Sequence, residues 1–267
     1  MPQTLNFVKK VKVYADKSNV SMFFLNKMKA FTLAEVLVTL SVIGIIAAFV
    51  LPGVIRKYQE AINVTKLREV NSQLNASFSV AVQQFGPPQY WGLLESSTNN
   101  IDEDGNRYGY IPSENIPYER LLIGLKKELI DGKEAAYQPE AMHGGGGIIT
   151  KQRPVYRLSN GATLLYPAFV SSGKCTVSGG TAPYTNICGD IKVDLNGFAP
   201  PNKYGHDVFV FYFTKNGFLP FGGKNNNISI KTYCDISLTE QNYNGYGCAA
   251  WVIEKGNMNY LRHKIDW

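Results

Sequence analysis

Histidine and cysteine are scarce in this chain, three and four copies in 267 residues, and their positions exclude several familiar chemistries. His143, His206 and His263 lie far apart, and none has the close spacing that brings imidazoles onto one metal ion. Cys175, Cys188, Cys234 and Cys248 contain no Cys-x-x-Cys, the spacing of zinc and redox motifs. A G-x-x-x-x-G-K-[ST] phosphate loop is missing, so any ATP-driven work must come from another protein. No catalytic set emerges, and an enzyme is not the expected reading. Aromatic residues are plentiful, but they are not interleaved with Lys and Arg as a stacking platform for single strands would require.

Charge is missing from one place above all. From Phe31 to Ile55 the only ionisable side chain is Glu35, in a run of about 25 residues where roughly 20 apolar ones suffice to cross a bilayer as a helix. Ahead of it, Lys9, Lys10, Lys12, Lys17, Lys27 and Lys29 against Asp16 account for nearly all of the net charge of +6. The rest is close to neutral. The basicity is therefore a topology signal, positive side inside, and it argues against nucleic acid as a ligand. A carboxylate within hydrocarbon is expensive, so Glu35 is a functional candidate that needs a partner.

These residues carry a resemblance. Lys29-Ala30-Phe31-Thr32-Leu33-Ala34-Glu35 resembles the processing site of type IV pilins and of the pseudopilins of type II secretion systems. The resemblance implies a leader over 1–30, cut by a prepilin peptidase between Ala30 and Phe31, and methylation of the new Phe31 amine. Ala30 stands where the family usually carries Gly. Gly44 and Pro52 match the helix-loosening Gly and the Pro of many members. The partners it implies are copies of the chain or related pilins in a filament, the peptidase, an inner-membrane assembly platform and the lipid bilayer. The physics agrees: Glu35 lies one helical turn from the new amine, and in a filament it can neutralise the amine of a neighbouring subunit. The place implied is the bacterial inner membrane, a single pass with the C-terminal domain in the periplasm, or an extracellular filament.

Beyond the apolar run, Leu67, Val70, Leu74, Phe78, Ala81 and Phe85 recur at spacings of three and four, one apolar helical face. Gly86-Pro87-Pro88 ends that helix. Phe31 to Phe85 as one helix is about 80 Å long, and Pro52 should bend it. Tyr118 to Ile130, with Leu121, Leu122, Leu125 and Leu129, reads as a short amphipathic helix. His143 with Gly144–Gly147 resembles the HGGG oxyanion element of some lipases and esterases. With no G-x-S-x-G elbow anywhere, it reads as a glycine linker. From Pro154 onward the pattern is β. Asn160-Gly161 and Asn216-Gly217 mark hairpins, and Val208 to Phe213 is apolar on both faces, as a central strand is.

Four exported cysteines allow three connectivities. Local pairing, Cys175–Cys188 and Cys234–Cys248, is favoured, each bond closing a loop of about 14 residues worth on the order of 3 kcal/mol. Asp194, Asn196, Asn202 and Asp207 surround a Gly/Pro turn with oxygen ligands of the kind that suits Ca²⁺, without EF-hand spacing. The competing and favoured reading is Asx-turn chemistry ordering a loop; no other cofactor is expected. The expected fold is α+β and pilin-like: a long N-terminal helix, transmembrane over 31–55 and exported over 56–86, packed on an antiparallel sheet within 87–267. Its C-terminal region is tied by disulfides. The leading function is a filament subunit. The alternatives are a minor tip subunit that binds glycan or cargo, and a membrane-tethered exported enzyme cut near Ala48.

Overall fold

The computed structural model describes residues 32–91, 120–125, 127–130, 142, 155–165, 168–169, 175–228, 230–238 and 243–266. They fall into two units, Met1–Leu51 and Pro52–Trp267. In the first, every residue from Leu33 to Leu51 is helical and nearly all are exposed. This is the start of helix α1 (Leu33–Phe85), 53 residues long. Pro52 lies inside that helix. Lacking an N–H, it leaves the carbonyl one turn back without its helical donor.

In the second unit, α1 buries Val64, Leu67, Val70, Leu74, Ser77, Phe78 and Ala81. This is the face that the three-and-four spacing predicts. Phe85 sits at its margin, with the Arg120 guanidinium 5.2 Å above the ring. The helix ends where glycine permits it. Gly86 adopts φ +74° and its N–H reaches Val82 O at 2.9 Å, a left-handed cap, and Pro87 cannot extend the ladder.

Among the described residues the sheet has seven antiparallel strands: β1 (Lys127–Ile130), β2 (Val155–Leu158), β3 (Thr163–Leu164), β4 (Ala168–Phe169), β5 (Ile187–Asp194), β6 (Val208–Thr214) and β7 (Gly217–Pro220). Their order is β1-β2-β3-β5-β6-β7, with β4 also paired to β5. All seven residues of β6 are buried. Phe209, Phe211 and Phe213 join the core that contains Leu67, Leu74 and Phe78 of α1, whereas Val208, Val210 and Tyr212 join a second cluster with Tyr184 and Phe221. A strand covered on both faces needs an unbroken apolar run, and that is what its sequence supplies.

Asn160-Gly161 and Asn216-Gly217 both lie at hairpins. Gly161, at φ +83°, closes the turn between β2 and β3, where Leu158 N donates to Ala162 O at 2.7 Å. Between β6 and β7 the turn residues are Lys215 and Asn216, and Gly217 already pairs with Thr214. The expected helix over 118–130 is corrected. Lys127–Ile130 is strand β1, in register with Val155–Leu158, so sheet pairing overrides the apolar spacing that suggested a helix. Leu121 and Leu122 are buried in the preceding turn. Gly124 lets that turn approach α1: a Cβ there would stand 2.9 Å from Ser77 Cα. Ser77 Oγ donates to Leu121 O and accepts from Gly124 N, both at 3.1 Å.

Past the sheet come a one-turn helix α2 (Ile230–Tyr233) and a longer helix α3 (Ala249–Lys255). Disulfides join Cys175 to Cys188 and Cys234 to Cys248, the local pairing. The architecture is α+β: a long N-terminal apolar helix, an antiparallel sheet and a disulfide-tied C-terminal region.

Candidate assembly site

Helix α1 begins with a reciprocal cap. Thr32 is its N-cap and Glu35 its third residue. Thr32 N donates to Glu35 Oε2 at 2.8 Å, Thr32 Oγ1 donates to the same oxygen at 3.0 Å, and Glu35 N donates to Thr32 Oγ1 at 3.2 Å. This capping box satisfies two otherwise orphaned amides at the helix start, where an acid also faces the positive end of the helix dipole. Sequence reasoning picked out Glu35 and passed over Thr32. The signal was present, since Ser or Thr followed three residues later by Glu or Gln marks a helix start.

Behind the cap the helix offers an uninterrupted apolar surface. Leu33 is 79% exposed and Phe49 82%, with Leu37, Ile43, Ile46 and Leu51 also uncovered. The two hydroxyls in the run are turned inward on their own helix, Thr39 Oγ1 to Val36 O at 2.9 Å and Ser41 Oγ to Leu37 O at 2.8 Å. Polar groups satisfied within the segment are what a lipid or helix-packed environment demands. A Cβ on Gly44 would meet nothing within 4 Å, so that position lies open at the helix surface. Among the described residues α1 is long and apolar enough to cross a membrane. The processing positions Ala30 and Phe31, and His143 with its glycines, lie outside the described residues.

The four oxygen-bearing residues of the Gly/Pro turn occupy one stretch between β5 and β6, and their bonds are those of a turn. Asp194 Oδ1 accepts from Asn196 N at 3.0 Å. Asp207, 1% exposed, accepts from Lys203 N at 2.7 Å on one oxygen and Asn202 N at 2.9 Å on the other. Burial pushes the Asp207 carboxyl up, and these backbone donors pull it part of the way back. Asn202 takes φ +52°, which Asn tolerates at such loops. Among the described residues no group of three or more His, Cys, Asp or Glu stands close enough to hold a metal ion. His206 lines a groove beside this loop, and His263 is exposed.

The C-terminal region is anchored to α1 by polar side chains that nothing in the residue pattern singles out. Arg262 forms a bidentate ion pair with Glu60, one arm at 2.9 Å, and this holds the guanidinium above its ordinary pKa. Arg68 donates to Ile253 O through Nε at 3.0 Å and Nη2 at 2.8 Å, capping the last turn of α3. In the Cys234–Cys248 loop, buried Asn244 bonds the backbone of Asp235 and Leu238.

Residues 25–51 match the family described as the prokaryotic N-terminal methylation motif. The chain thus carries the signature of type IV pilins and pseudopilins, centred on the apolar start of α1. The motif supports a pilin-like subunit processed by a prepilin peptidase and assembled into filaments, and with the apolar helix it fits membrane anchoring or an extracellular filament. No curated protein and no solved structure matches the chain.

Proposed function

We propose that this chain is a structural subunit of a type IV pilus or a type II secretion pseudopilus. The prepilin peptidase removes residues 1–30 and the amine of Phe31 is methylated. The apolar start of α1 then holds the subunit in the inner membrane, with the sheet-bearing unit on the periplasmic side, until it is drawn into a filament. There the apolar surface exchanges lipid for the helices of other subunits. The observation that carries this reading is the bare apolar helix surface over Leu33–Leu51, interrupted by one carboxylate, inside the matched motif.

Glu35 performs two tasks in turn. In the single subunit its carboxylate closes the helix start on Thr32. In the filament it neutralises the amine of a neighbouring Phe31, so that two charges costly in an apolar core satisfy each other. Glu35→Ala is expected to leave membrane insertion unchanged and to abolish incorporation into filaments, measured by immunoblotting membrane and sheared-filament fractions. Wild-type incorporation of the variant would remove the charge-pair account.

A further inference from the structure

A groove of about 390 Å³ lies within the second unit, between α1 from Arg56 onward and the loops carrying Asp207 and Arg262. Its hydrogen-bonding capacity is lopsided. Both acids on its wall are already engaged: Glu60 accepts the two arms of Arg262, and the two oxygens of Asp207 accept the backbone N–H groups of Lys203 and Asn202. Of the cations Arg262 is matched by Glu60, whereas Arg56 and Lys66 are not matched in this way. Arg56 is exposed and makes no hydrogen bond or ion pair among the described residues. Lys66 spends one donor on Leu195 O, at 3.1 Å, and among the described residues faces no carboxylate within bonding distance. Gln59, on the same face of α1, is also unengaged among the described residues. A guanidinium and an amide with donors to spare, one turn apart on α1, call for an acceptor-rich anion, and phosphate oxygens fit that need. Ile62, Met258 and Leu261 give the groove an apolar side as well.

Position narrows the ligand further. Arg56 directly follows Ile55, the last residue of the apolar run, and the helix rises about 15 Å from Arg56 to Lys66. The polar layer on each side of the hydrocarbon core is roughly 5–7 Å thick. With residues 31–55 spanning the bilayer, Arg56 and Gln59 stand at headgroup level and Lys66 lies beyond it, so the phosphate contact falls to the membrane-proximal end of the groove. We infer that the groove binds the phosphodiester headgroup of an anionic phospholipid in the periplasmic leaflet, steadying the subunit before assembly. This rests on the membrane-anchored reading above.

The test uses full-length protein in mixed micelles containing phosphatidylglycerol or phosphatidylcholine, with retained lipid counted by native mass spectrometry. The wild type is expected to retain phosphatidylglycerol on the order of tenfold more than phosphatidylcholine. Arg56→Glu, at a side chain with no partner among the described residues, should bring that ratio close to one while flotation with vesicles stays unchanged. Equal retention of both lipids by the wild type, or an undiminished preference in the variant, overturns the inference. Release of the lipid by millimolar inorganic phosphate would overturn it too, assigning the groove to a soluble anion. Failure of the wild type to float with vesicles at all would instead bring down the membrane reading on which the inference stands.

Discussion

Single residues in this chain act mostly by completing the hydrogen bonds of the backbone. Asp235 shows how that becomes a dependence on pH. The Ser237 hydroxyl, at 2.6 Å, holds its carboxyl below the usual carboxylate range, helped by Ser237 N at 2.8 Å and the Lys264 ammonium at 3.4 Å, and opposed by burial. A lowered folded pKa means that the native state favours the charged form. The stability it contributes is complete above the ordinary carboxylate pKa of about 4, and it is lost as pH falls through the lowered value. Asp235→Asn should therefore be less stable than the wild type at pH 7, with the gap closing as pH approaches about 2. Urea midpoints at both pH values check this, and a gap that widens on acidification contradicts it. Of such residues, those marked by chemistry alone were legible beforehand: Glu35 as a charge in an apolar run, and Asp194 as an Asx-turn former, while Asp207 orders the same loop from its far end by accepting from Asn202 N and Lys203 N. Glu60, Arg68 and Arg262 were not. Each bonds a partner far away in sequence, and ordinary charges in ordinary surroundings do not announce such partners.

At the scale of elements, α1 and β6 were legible because burial writes itself as period. One buried helical face gives spacings of three and four, and a strand covered twice gives a solid apolar run. Local pairing of the cysteines was open among three connectivities, and the structure has it. Strand β1 was misread because Leu121, Leu122, Leu125 and Leu129 fit a helix as well as they fit a turn followed by an edge strand. Only the partner Val155–Leu158, distant in sequence, decides between them. How α1 meets the other edge of the sheet was equally hidden. Asn75 reaches β7 as a strand neighbour would, accepting from Phe218 N at 2.9 Å and donating to Phe218 O at 3.3 Å. The edge is thereby protected by the helix. Asn75→Ala strands a buried backbone N–H, and it should destabilise the fold by about 1–3 kcal/mol. Asn75→Asp, which keeps the acceptor, should cost less. Denaturant titration of both variants decides, and equal losses would show that the Phe218 bond is not what the side chain contributes.

For the molecule as a whole, the division of labour follows from where its apolar surface goes. In the second unit, α1 and the sheet cover each other and the disulfides fix the C-terminal loops. In the first, the helix keeps its apolar surface bare. A surface of that kind has to be covered by lipid or by other helices. The sequence announced this much through its single long uncharged run, and the methylation motif lies on the same residues. Everything proposed for assembly depends on the chain being opened at one bond to create the amine that Glu35 is to meet. The most direct test is peptide mass spectrometry of the N-terminus of the membrane-associated protein. The account predicts an N-methylated Phe31 as the first residue. A product that retains its lysine-rich leader, or one cut near Ala48, would contradict it.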